Sequence, residues 1–173
     1  MKSLPPVDAV WARLASRATR VILVRQDMSY AGLSDELAKL SVAESPRAVE
    51  AKVIRGTFRF TFFLQALAAS QAEWPHRWGE AALSTDSWEA RAAMVFSVEM
   101  AGQPWLDWTM LSNRLLEIGV VVPSDVLRLQ VESGTFLTSL FLQCGTVCRF
   151  DSIRRFLDIS SLNHAALMAS QDL

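Results

Sequence analysis

Arg47, Ala51 and Arg55 recur at i, i+4 and i+8, with Lys52 flanking them on one side and Glu50 on the other. On a helix this spacing stacks the three on one face, two guanidinium groups separated by a methyl. A guanidinium is always charged, and its fork of N–H donors fits phosphate oxygens or the edge of a guanine through two hydrogen bonds. The small Ala51 lets such a helix approach its partner closely. The same residues on an exposed helix also describe an ordinary solvated face, so the surrounding elements must be considered before choosing.

The sequence starts and stops a helix at the right places. Ser45-Pro46 supplies an N-cap followed by proline at the first helical position, and Gly56 is the residue type that ends helices in the left-handed conformation. Val49 and Val53 lie opposite the arginine row and must face a core. Upstream, the apolar period predicts a first helix over Asp8–Gln26, burying Val10, Leu14, Ala18, Val21 and Ile22. It carries Arg13, Arg17, Arg20 and Arg25; of these Arg17 and Arg20 are candidates for phosphate contacts. Ser29 caps a second helix with Tyr30, Leu33, Leu37 and Leu40 on one face. Thr57 is expected to cap a fourth, running to about Ser70 and dense with phenylalanine.

The pattern then repeats. Tyr30–Gln65 aligns without a gap on Trp108–Gln143, a constant shift of 108 − 30 = 78, with Gly56-Thr57-Phe58 against Gly134-Thr135-Phe136 and Phe63-Leu64-Gln65 against Phe141-Leu142-Gln143. A period this long indicates a duplicated small domain rather than a solenoid. The valine side of the third helix is kept in the second copy as Leu127 and Val131. Its outer row is not: Arg47, Ala51 and Arg55 become Asp125, Leu129 and Ser133. The second copy is therefore not expected to bind an anion, and Leu129 suggests burial against protein. The expected fold is all-α, two tandem four-helix units able to share one core plus a short C-terminal helix. The divisions fall at 1–72, a Trp/Pro/Gly connector over 73–88, a degenerate repeat over 89–148, and a helix and tail over 149–173.

Bulk composition narrows the function classes. The net charge of −1 is +4 over residues 1–70 (ten basic, six acidic) and −5 over 71–173 (seven basic, twelve acidic). Two halves of opposite sign suit different partners. No apolar run approaches the roughly 18–20 residues of a membrane span, and no export segment opens the chain, so a cytoplasmic protein is expected. Cys144 and Cys148, at i, i+4, read as small core residues, and neither His76 nor His164 has ligand spacing; no metal or cofactor is expected. There is no phosphate-cradling glycine loop and no nucleophile elbow, so no enzyme is expected.

The helix order, with a Ser-Pro-started third helix ending in Arg55-Gly56, resembles the lambda-repressor-like (XRE-type) helix-turn-helix fold. More specifically, Tyr30-Ala31-Gly32-Leu33, Lys52-Val53-Ile54-Arg55-Gly56-Thr57-Phe58 and Phe62-Phe63-Leu64-Gln65 resemble a small bacterial domain family of unknown function. The first resemblance implies double-stranded DNA as partner, with the third helix in the major groove and Arg47, Ala51, Lys52 and Arg55 at its surface. It also implies a homodimer, or a protein partner engaged through the second repeat. Trp74, Trp78, Trp105 and Leu129 are the candidate interface residues, tryptophan being enriched where interfaces concentrate their energy. The alternative is a non-enzymatic scaffold or adaptor that uses the duplicated fold for protein contacts.

Overall fold

The fold is given by a computed structural model that describes residues 4–171, with side chains through 168. The outermost residues of the expected first and last segments, 1–3 and 172–173, lie outside the described residues. The first repeat comprises α1 (Pro6–Arg25), α2 (Tyr30–Lys39), α3 (Pro46–Arg55) and α4 (Phe60–Ala69). A single turn of 3-10 helix (His76–Trp78) and the short α5 (Gly79–Leu83) form the connector. The second repeat comprises α6 (Trp88–Ala101), α7 (Trp108–Glu117), α8 (Ser124–Glu132) and α9 (Thr138–Val147). A second 3-10 segment (Asp151–Arg155) and α10 (Ile159–Gln171) complete the chain. Among the described residues there is no strand beyond an isolated bridge, and no helix is long and apolar enough to cross a membrane.

Equivalent helices start by equivalent means. The Ser29 hydroxyl accepts from Gly32 N–H, and in the second repeat the Asp107 carboxylate accepts from Met110 N–H. Between the second and third helices, Ser34 Oγ donates to Glu44 O at 2.6 Å, as Ser112 Oγ does to Val122 O at 2.5 Å. That bond gives the Ser34/Ser112 identity its physical reason: it pins an irregular loop to the helix before it. The loop runs over Leu40–Ser45, longer than the roughly three- to four-residue turn of a tight helix-turn-helix.

Thr57 does not cap α4. Residues 57 and 58 are not helical, Arg59 is extended, and α4 begins at Phe60. The reason lies across the molecule: Phe60 N–H donates to Phe136 O at 3.0 Å, and Thr138 N–H donates to Phe58 O at 3.1 Å, closing an antiparallel bridge between Arg59 and Leu137. Under the 78-residue shift Phe58 corresponds to Phe136 and Phe60 to Thr138. The contact therefore maps onto itself when the repeats are exchanged, the signature of a local two-fold axis. The packing obeys the same exchange. α1 lies on α9 and α6 lies on α4, each first helix crossing to the other repeat's fourth. Phe60 stacks on Phe136 and Phe141 with ring centroids 5.2 and 4.3 Å apart, and Trp78 meets both Phe60 and Phe141 edge-on. One continuous core results.

Three further expectations are corrected by the packing. The buried arc of α1 is wider than the predicted row and centres on Trp11, Ala15, Ala18 and Ile22, with Val10 and Val21 only half-buried, because the helix is packed by α3, α9 and α10 at once. The short helix expected early in the 149–173 segment is 3-10, over Asp151–Arg155. The polar tail expected beyond it is α10, which packs Leu162 and Ala165 against α1 and α9.

Candidate nucleic-acid interface

α3 is positioned from both ends. Ser45 Oγ accepts from Ala48 N–H at 3.1 Å, and Gly56 ends the helix at φ 70°. Val49 and Val53 are fully buried. Gly56 also permits a backbone contact: a Cβ built there would lie 1.8 Å from Ala12 O, so α1 presses directly on the end of α3. Gly134 repeats the arrangement, φ 68° with its Cβ 2.0 Å from Glu89 O. This construction turns Arg47, Ala51 and Arg55 outward, all three exposed, and among the described residues neither arginine has a partner within the chain.

The other predicted contacts are distributed differently. Lys52 is not part of the open row. Its ammonium pairs with the Glu44 carboxylate and lies 4.8 Å from the centre of the Phe62 ring, which makes it a bracket between the α2–α3 loop and α4. Arg17 is engaged by the C-terminal segment, 3.2 Å from Asp158 and 3.0 Å from Ser161 Oγ. Arg20 is exposed and, with Arg13, Arg17 and His164, lines a groove between α1 and α10. Thus Arg47, Ala51 and Arg55 form one cluster and the α1 arginines another.

In the second repeat Asp125, Leu129 and Ser133 are equally exposed. Leu129 is 69% exposed, so it is not buried against the first repeat as its type suggested. The cause is the exchange of α1 and α6, which joins the repeats through their first and fourth helices and leaves both third helices outside. Four small residues of the first repeat are replaced by larger apolar ones, while the exposed Ile54 becomes Glu132. Gly32, Ala38, Ala48 and Ala51 correspond to Met110, Leu116, Val126 and Leu129, all exposed. Of the predicted interface tryptophans, Trp78 is fully buried in the seam, Trp74 is half-buried near Arg91, and Trp105 is exposed beneath the Arg114 guanidinium at 4.8 Å.

Sequence reasoning missed two buried ionic groups on α6. Arg91 Nε donates to Ala81 O at 2.9 Å while the guanidinium stacks 3.9 Å from the Trp88 ring. The buried Glu99 carboxylate accepts from Trp78 Nε1 at 2.9 Å and from Ser152 Oγ. Together they tie the connector and the segment after α9 onto α6. Cys144 and Cys148 are buried free thiols, and burial pushes both up, Cys148 to about 11. Among the described residues no three His, Cys, Asp or Glu side chains gather as a metal site.

The duplicated geometry has a counterpart among known sequences. A family model described as Domain of unknown function (DUF6471) matches residues 11–75 and again 88–153. The chain belongs to this family. The two DUF6471 matches open at Trp11 and Trp88, 88 − 11 = 77 apart, and close at 75 and 153, which are 78 apart. The glycine contacts agree, since Ala12 and Glu89 are also 77 apart. The extra residue of the second DUF6471 repeat therefore lies between α6 and α7. In that register Arg91 and Glu99 stand where the first repeat has Leu14 and Ile22. Neither a curated protein nor a solved structure gives a significant match to the chain.

Proposed function

We propose that the protein binds double-stranded DNA in the cytoplasm through α3 of its first repeat. The observation that carries the proposal is the open Arg47–Ala51–Arg55 row, whose arginines have no partner among the described residues and whose small Ala51 leaves room for close approach between them, with Ile54 and Glu50 exposed along one edge. Each arginine can engage a guanine edge or a phosphate. α2, the pinned loop and α3 stand in helix-turn-helix order, which supports a docking mode with α3 in the major groove. Arg20 and Arg13 add phosphate contacts. Lys52 and Arg17 serve the fold first. A transcriptional regulator, or an accessory DNA-binding protein of a mobile element, fits this design.

A second role as a scaffold is favoured by one observation, the run of large apolar side chains exposed on the second repeat. Both roles are compatible with one chain whose halves have diverged.

The test is binding of a labelled random-sequence duplex at about 50 and 200 mM salt, where several phosphate contacts should produce a steep loss. Arg47→Ala/Arg55→Ala should abolish the binding. Absence of binding at the lower salt, with the helical signal intact, would sink the proposal.

A further inference from the structure

The two third helices carry contrasting charge on faces of the same period. The α3 row is Arg47, Ala51, Arg55, with Glu50 and Ile54 along one edge; the α8 row is Asp125, Leu129, Ser133, with Arg128 and Glu132 along the equivalent edge, so that edge also pairs acid with base. Both have the i, i+4, i+8 period, and both are exposed. Set antiparallel, they are complementary. Asp125 meets Arg55, Leu129 meets the gap above Ala51, and Glu132 meets Arg47. Rows of this period interdigitate in the commonest class of helix packing. The antiparallel sense also places the positive end of one helix dipole beside the negative end of the other.

Leu129 and Ala51 are both open to solvent, so this pairing is not made within the chain. We propose that α8 of one molecule docks on α3 of a second copy of this chain. Each chain carries one face of each kind, so a closed pair would satisfy both contacts at once. The Arg128–Glu132 ion pair on α8, at 2.8 Å, must rearrange. An exposed pair of that kind contributes little, so the rearrangement is cheap. Where the proposed DNA reading holds, self-association covers the arginine row and competes with DNA. The docking itself stands on the charge and shape of the two faces and not on that reading.

Sedimentation velocity on the full chain over a wide range of concentration tests it. Wild type should form a reversible dimer that weakens as salt rises. Asp125→Arg/Glu132→Arg and, separately, Arg47→Glu/Arg55→Glu should each weaken association by about tenfold or more, as lost interfacial charge pairs do. Mixing the two variants should restore it, because both contacts are again between opposite charges. Leu129→Ala should weaken association at unchanged charge. All these positions are exposed, and helical circular dichroism confirms that each variant folds. A wild type that stays monomeric throughout, or variants that associate as well as wild type, would overturn the proposal. Because no DNA enters this experiment, a failure of DNA binding leaves its outcome intact.

Discussion

At the scale of single residues, neighbouring cations on one helix have different duties. Among the described residues Arg47 and Arg55 have no partner, whereas Lys52 holds Glu44, whose second carboxylate oxygen is buried with none either. Arg47→Ala or Arg55→Ala should cost about 1–3 kcal/mol of DNA affinity and leave the melting temperature unchanged. Lys52→Ala should do the reverse, lowering the melting temperature with little effect on affinity. Anisotropy titration and calorimetry separate the two. The thiols give a pH prediction. Cys148 rises from 9.0 to about 11 on folding because burial favours its neutral form. Its contribution is complete below pH 9 and is lost as pH climbs through about 11, so stability should decline over that alkaline window. Replacing Cys148 with alanine should flatten the decline. Arg47, Ala51 and Arg55 were legible as an open row from spacing alone. The engagement of Lys52 and Arg17 was not, because their partners Glu44 and Asp158 are fixed by a loop and by a helix start that no period announces.

At the scale of elements, capping chemistry decided what could be foreseen. α3 has the predicted limits because serine, proline and glycine punctuate it. α4 starts two residues late, capped at Arg59 rather than Thr57, because the chain before it bridges the other repeat, a long-range demand that overrides a local cap. α10 was missed because only Leu162 and Ala165 among its described residues are buried, too few to print a helical stripe among Ser160, Ser161, Asn163 and His164. The α1–α3 joint makes a sharp prediction. Gly56→Ala combines a positive φ with a carbonyl in the space the methyl needs, and should cost about 2–4 kcal/mol in denaturant unfolding. Gly134→Ala should behave alike. On α6, Glu99→Leu leaves the Trp78 and Ser152 donors unpaired, at about 1–3 kcal/mol for each buried group.

At the scale of the molecule, the duplication amounts to an internal dimer whose halves no longer match. The repeats share one core, so the expected division at residue 72 marks a sequence boundary and not a folding boundary. Isolated residues 1–72 would expose Phe60, Phe63 and the α9-facing side of α1, and should be helical but prone to aggregate. A monodisperse, cooperatively unfolding fragment would refute the shared core. Phe63 and Phe141 occupy equivalent positions, and alanine at either should cost about 3–5 kcal/mol. The loss should be larger at Phe141, which meets Phe60, Trp78 and Phe150, than at Phe63, which meets Phe60 and Phe156.

The exchange of first helices also governs the order in which the chain can be completed during synthesis. α1 leaves the ribosome before the other described helices, yet α9, on which it must lie, is made only after most of them. α2 and α3 can assemble early from local contacts, while the apolar side of α1 waits for its seat. Completion is thus tied to the arrival of residues 138–147, and the nascent first repeat carries exposed surface for several seconds at ordinary elongation rates of about 5–20 residues per second. Reversing the order of the repeats in the gene would move that exposure from the basic half to the acidic one.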